Sequence, residues 1–118
     1  MQFKDILYNV EGDYAHVTID RPKVLNAFTP VTLQELKSAL DIAEKDKNVG
    51  VIVLSGSGDR AFCAGGDMNW ESSDEFQDHE YEFHIHLTKC SKPIIAKVDG
   101  YAIGGGNHMA YFCDLTIA

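Results

Sequence analysis

Cysteine is scarce in this chain and irregularly placed. Cys63, Cys90 and Cys113 are an odd number without CxxC spacing, which argues against a disulfide framework or a zinc ribbon and leaves reduced thiols as the simple reading. Long apolar runs are also missing. No window approaches the ~18 uninterrupted apolar residues of a membrane span, and Met1 to Asp5 lacks the basic start and apolar core of a signal peptide, so a cytoplasmic protein is expected. Positive charge is in deficit: ten Lys and Arg face eighteen Asp and Glu, a formal net charge of −8. With no basic patch to override it, neither nucleic acid nor an anionic membrane is an expected partner.

What remains fits one folded domain. The 118 residues are 45% hydrophobic and 24% charged, an ordinary globular balance with enough apolar residues for a two-layer core. No internal repeat, low-complexity segment or linker interrupts the chain.

Two short strand-like runs, Ile6 to Val10 and Tyr14 to Ile19, flank Glu11-Gly12-Asp13 and read as a hairpin. Asp20-Arg21-Pro22 breaks the second run. After a loop through Asn26-Ala27-Phe28, Thr29 suits an N-cap and Pro30 a first-turn position, predicting a helix to about Lys45. Its apolar stripe holds Leu33, Leu36, Leu40 and Ile42-Ala43. The β-branched run Val49 to Ser55 predicts a central strand covered on both faces. A polar, weakly periodic stretch from about Ser73 to Lys89 is read as a helix without a clean apolar face. Ile94 to Val98 predicts a second buried strand, Asn107 to Phe112 a short helix and Asp114 to Ala118 a last strand. This alternation of strands and helices predicts an α/β fold with right-handed crossovers.

Glycine is concentrated in two loops that each follow a buried strand, at Ser55-Gly56-Ser57-Gly58-Asp59 with Ala64-Gly65-Gly66-Asp67, and at Gly104-Gly105-Gly106. Such loops at strand ends can turn several backbone N–H groups toward one oxygen, the geometry of an oxyanion hole. Either loop alone reads equally as tight turns. Neither matches a Walker A loop, and the triple glycine lacks the spacing of a dinucleotide fingerprint, so ATP and NAD are disfavoured. An oxyanion hole suits a thioester carbonyl such as that of an acyl-CoA. The net negative charge opposes that anionic ligand, so binding must rest on local amides, helix N-termini and a few Lys side chains.

Four motifs in order carry a resemblance: Asp20-Arg21-Pro22 with Asn26-Ala27-Phe28; Asp59-Arg60-Ala61-Phe62-Cys63-Ala64-Gly65-Gly66-Asp67; Gly100-Tyr101-Ala102-Ile103-Gly104-Gly105-Gly106; and Cys113-Asp114-Leu115-Thr116-Ile117-Ala118. From Ile6 to Ala118 the chain resembles the enoyl-CoA hydratase/isomerase (crotonase) superfamily. The resemblance implies a ClpP/crotonase fold of ββα units, with residues 1–118 as the N-terminal portion of a single domain that is cut before its C-terminal helical part. It implies that the N–H groups of Ala64 and Gly105 hold the thioester oxygen. Val24, Leu25, Ala27, Ala64, Gly65, Gly66, Asp67 and Met68 would line the coenzyme A channel, with Asp67 fixing the loop. Tyr101, Ala102, Ile103, Gly104 and Gly105 would shape the acyl pocket. Coenzyme A enters as part of the substrate, with no tightly bound cofactor, and a homo-oligomer, trimer or hexamer, is the family's arrangement.

One departure bears on the reaction. A typical hydratase has glutamate two residues after the triple glycine, where this chain has His108. The wording of Phe62 to Asp67 and of Gly100 to Asn107 is most similar to the 2-ketocyclohexanecarboxyl-CoA hydrolase and dihydroxynaphthoyl-CoA synthase branches, which also lack that glutamate. The expectation is an acyl-CoA lyase or hydrolase acting on a ring-bearing acyl group. An ordinary hydratase or isomerase, and a non-catalytic CoA-binding or interaction module, are the alternatives. His108 can exchange protons near neutral pH, or simply be a packed or partly solvated histidine. His79, His84 and His86 stand among Asp78, Glu80 and Glu82, a grouping able to bind a divalent metal but read as a solvated polar helix, so no metal is assigned. Cys63 is read as loop packing, without a paired base to make it a nucleophile.

Overall fold

A computed structural model describes residues 3–67 and 76–118. The chain opens with the expected hairpin, β1 (Ile6–Glu11) and β2 (Tyr14–Ile19), antiparallel with Ile6 opposite Ile19 and turning at Gly12, whose φ is +61°. A 3-10 turn (Pro22–Val24) leads to helix α1 (Pro30–Lys45). Thr29 caps that helix through a reciprocal box: its hydroxyl accepts from the Thr32 N–H while the Thr32 hydroxyl accepts from the Thr29 N–H. Two of the orphan donors at the helix start are satisfied in this way. Leu33, Leu36, Leu40 and Ala43 of the predicted stripe are buried, and Ile42 is partly so.

Strand β3 (Val51–Gly56) runs parallel to β2, and β5 (Ile94–Lys97) parallel to β3. Between them lie a short strand, β4 (Ala61–Cys63), and helix α2 (Phe76–Lys89). After β5 come β6 (Tyr101–Ala102), helix α3 (Gly105–Tyr111) and β7 (Leu115–Ile117). The main sheet has the order β1-β2-β3-β5-β7, and β4 pairs with β6 in a second, two-stranded sheet. The predicted α/β alternation is therefore present, with one feature the periodicity does not carry: a small parallel sheet joining segments about forty residues apart.

Ala15, Val17 and Ile19 of β2, Ile52 and Leu54 of β3, and Ile94 and Ala96 of β5 form one core with the α1 stripe and with Phe28, Phe62, Phe83 and Met109. The side-chain period of two along each strand selects these residues for the covered face. Because β4 and β6 branch away from the main sheet, the loops after them are carried to one place. Among the described residues, no helix is long and apolar enough to cross a membrane.

Candidate functional site

The loop after β2 has a left-handed backbone at two successive non-glycine residues, Leu25 (φ 55°) and Asn26 (φ 58°). Asparagine tolerates this region, whereas leucine rarely does, so the turn must be held by its surroundings. Asn26 does much of that holding. Its backbone N–H donates to the Arg21 carbonyl (2.8 Å), its Oδ1 accepts from the Arg21 N–H (2.9 Å), and its Nδ2 donates to the carbonyls of Ser57 (3.0 Å) and Ala61 (2.8 Å). The Arg21 guanidinium donates to the Ala27 carbonyl (2.5 Å) and lies 3.5 Å from the Asp67 carboxylate. Asp67 thus ties two loops together. A cleft of about 150 Å³ opens beside this turn, lined by Pro22, Leu25 and Asn26 on one side and by Ser57 to Ala61, including Arg60, on the other.

The loop after β4 docks on the same turn as a single parallel bridge between Phe28 and Gly66. Phe28 N–H donates to the Gly65 carbonyl (2.9 Å) and Asp67 N–H to the Phe28 carbonyl (2.8 Å). Ala64 N–H donates to the Leu25 carbonyl at 3.0 Å. The Ala64 amide, expected to face a thioester oxygen, is therefore already occupied within the fold. In a parallel bridge the N–H of the bridged residue points away from its partner strand, and among the described residues none accepts from Gly66 N–H. The Gly66 N–H, of a residue expected only to line the coenzyme A channel, is thus left over where the Ala64 N–H is engaged.

Gly105 begins α3, where the first amides of a helix lack partners within it. Its neighbours are engaged, Gly106 N–H with the Ile103 carbonyl (2.9 Å) and His108 N–H with that of Gly104 (3.0 Å). Gly65, at φ +100°, lies against this turn: a Cβ there would stand 3.0 Å from the Ile103 oxygen and 3.5 Å from the Gly105 nitrogen. The bare backbone of Gly65 lets the two glycine loops approach, placing Gly66 one residue from a point in contact with Gly105.

Three side chains border the start of α3. Glu80 of α2 has its Oε1 3.6 Å from His108 Nδ1 and 3.8 Å from His84 Nε2. The ring of His84 stacks on Phe112 (4.8 Å, 28°) and meets that of His108 edge-on (5.8 Å, 88°). Burial, with the neighbouring His108 as a second cause, lowers the His84 pKa to about 4. Of the histidine grouping read from the sequence, His86 instead bonds Asp41 across to α1 (2.8 Å). His108 joins from a different helix, which the sequence does not announce. Cys63 is fully buried, and desolvation pushes its thiol up to about 12, the reverse of an activated nucleophile.

Tyr101, Ile103 and Gly104 are exposed around the turn and Ala102 is half-buried, while Val24 is exposed and Leu25 half-buried. Met68 lies outside the described residues.

The family model described as enoyl-CoA hydratase/isomerase matches residues 10–118. Solved structures agree with that match. An enoyl-CoA hydratase/isomerase from Xanthobacter autotrophicus superposes with a TM-score of 0.92 at 29% identity, covering 99% of this chain and 46% of that one. The corresponding values for an enoyl-CoA hydratase from Bacillus anthracis are 0.90, 26%, 98% and 47%. For an enoyl-CoA hydratase subunit I from Geobacillus kaustophilus they are 0.89, 34%, 98% and 46%. The chain spans about half the length of these structures.

Proposed function

The chain belongs to the enoyl-CoA hydratase/isomerase (crotonase) family, and from that premise we propose that it supplies the acyl-CoA-binding and oxyanion-stabilising part of an acyl-CoA enzyme. The observation that carries this reading is the meeting of two glycine loops at which the Gly66 and Gly105 amides are left over by the fold. A thioester carbonyl accepting from both would be stabilised as negative charge collects on its oxygen, whether by loss of an α-proton or by attack of a nucleophile. The bridge at Phe28 and the Gly65 approach hold these donors in place before substrate arrives, so little reorganisation is needed. The cleft beside Leu25 and Arg60 offers one cation to the anionic coenzyme A despite the chain's negative charge.

For the acyl group we propose a ring-bearing substrate and a lyase or hydrolase reaction that opens or closes a carbon–carbon bond. Support comes from His108 standing where a hydratase carries glutamate. Hydratase or isomerase chemistry is the second reading, and one observation favours it: the Glu80 carboxylate lies 3.6 Å from the His108 imidazole, a pairing that suits proton exchange beside the oxyanion loop. The whole domain and its homo-oligomer belong to the same proposal, supported by the apolar side chains Leu115 and Ile117 exposed on the edge strand β7.

Calorimetric titration with acetyl-CoA tests the site. Gly66→Pro removes one donor N–H while leaving both Phe28 bridge bonds available. Affinity should fall at least tenfold with the far-ultraviolet circular dichroism unchanged. Equal affinities in the wild type and Gly66→Pro would refute Gly66 as a donor, and no binding by either would refute the acyl-CoA site in this chain.

A further inference from the structure

We propose that Glu80, His84 and His108 form a binding site for a divalent cation of the zinc type. Their ligand atoms, one carboxylate oxygen and one nitrogen from each imidazole, all lie within 4.8 Å of one another. Glu80 and His84 are one helical turn apart on α2, which puts them on the same face, and His108 enters from the first turns of α3.

Donor spacing supports the assignment. Ligands at about 2.1 Å from a tetrahedral zinc ion stand about 3.4 Å apart. The two measured separations from Glu80 Oε1, 3.6 Å and 3.8 Å, exceed that by only a few tenths of an ångström. Closing the third separation falls to His108, which is 60% exposed and can rotate without disturbing the core.

A second, independent observation concerns His84. The residue is only 9% exposed, yet its Nε2 is buried without a hydrogen-bond partner, and a buried polar atom left in this way carries a desolvation cost. That nitrogen faces the cluster, with Glu80 Oε1 3.8 Å away. Phe112 stacked on the ring fixes its orientation.

Two imidazoles and a carboxylate suit zinc, cobalt or iron(II) better than magnesium or calcium, which prefer oxygen ligands. Three protein ligands leave a coordination position open. The cluster borders the oxyanion loop, since a Cβ on Gly105 would fall 2.5 Å from Glu80 Oε1. Coordination would occupy the His108 nitrogen that otherwise faces Glu80, so metal binding and proton exchange at that nitrogen exclude one another. The site itself does not depend on any activity of the chain.

Titration of the untagged chain with zinc ions by calorimetry, and with cobalt(II) by visible absorption, tests the site. One equivalent should bind, giving cobalt bands of nitrogen and oxygen ligation. His84→Ala and His108→Ala should each weaken binding by at least about tenfold, the lower edge of what loss of even an outer-shell partner costs. His86→Ala, whose ring bonds Asp41 instead, should bind as the wild type does. Because His108 is exposed, its variant keeps the test decisive even if His84→Ala does not fold. Absence of saturable binding at millimolar metal would overturn the proposal, as would unchanged affinity in His108→Ala. Thiolate-to-cobalt charge-transfer absorption would also overturn it by moving the ion to a cysteine.

Discussion

Gly106 lies directly against the main-chain carbonyl of Cys63, leaving no room for a side-chain carbon between them. This contact presses the start of α3 onto the end of β4 and brings the two glycine loops together. Gly104, two residues earlier, has open space where a Cβ would stand but a φ of +55°. The two glycines are therefore required for different reasons, one for space and the other for backbone conformation.

Gly106→Ala should accordingly destabilise the chain by about 2 kcal/mol or more, since the overlap is with backbone that cannot swing aside. Gly104→Ala should cost about 1–3 kcal/mol for a different reason, since its φ of +55° with ψ of −120° lies outside the regions open to a residue with a Cβ. Urea denaturation midpoints compare the two. Wild-type stability in Gly106→Ala would show that the close packing of α3 on β4 is not what fixes the site.

Asn26 gives a second prediction. Replacing it with Ala removes one acceptor and a doubly used donor group, leaving the Arg21 N–H and the carbonyls of Ser57 and Ala61 to find other partners. An unsatisfied buried polar group costs about 1–3 kcal/mol, so a loss of at least about 2 kcal/mol is expected. The left-handed turn at Leu25 should relax with it, releasing the carbonyl that Ala64 N–H uses. Asn26→Asp keeps the acceptor and loses the donors, so in denaturant titrations it should also be destabilised. Wild-type stability in Asn26→Asp would show that the bonds to Ser57 and Ala61 contribute little.

The main elements were legible because periodicity reports burial. The alternation of Tyr14 to Ile19 and the stripe of α1 each encode one covered surface, whereas the apolar run at β3, expected to be covered on both faces, is buried on one, with Val51 and Val53 only half-buried on the other. Strands β4 and β6 were not legible: three and two residues are too few to show a period, and their pairing depends on Gly100 passing close to the Arg60 backbone. The glycine loops were visible as loops, but which amide remained available was not. That choice depends on where the Leu25 carbonyl falls, and it shifts the inferred donor from Ala64 to Gly66. Likewise the Glu80 and His84 pair could be read from helical spacing, while the arrival of His108 depends on how α3 packs against α2.

His84 makes stability depend on pH in a direction that can be derived. Burial first, then the charge of His108, lower its pKa from the model-compound value of 6.5 to about 4 in the folded chain. The unfolded chain therefore binds the proton more readily. The stability contributed by keeping this imidazole neutral is complete above pH 6.5, is lost as pH falls from there to about 4, and does not change further below. In that window the loss should approach about 1.4 kcal/mol per pH unit. Carboxylates also titrate toward the acid end, so the measurement is the difference between wild type and His84→Phe, which retains a ring against Phe112. Thermal unfolding between pH 7 and 4 should show a steeper decline for wild type. Parallel profiles would mean that the Glu80 carboxylate, 3.8 Å away, stabilises protonated His84 enough to cancel the cost of burying it.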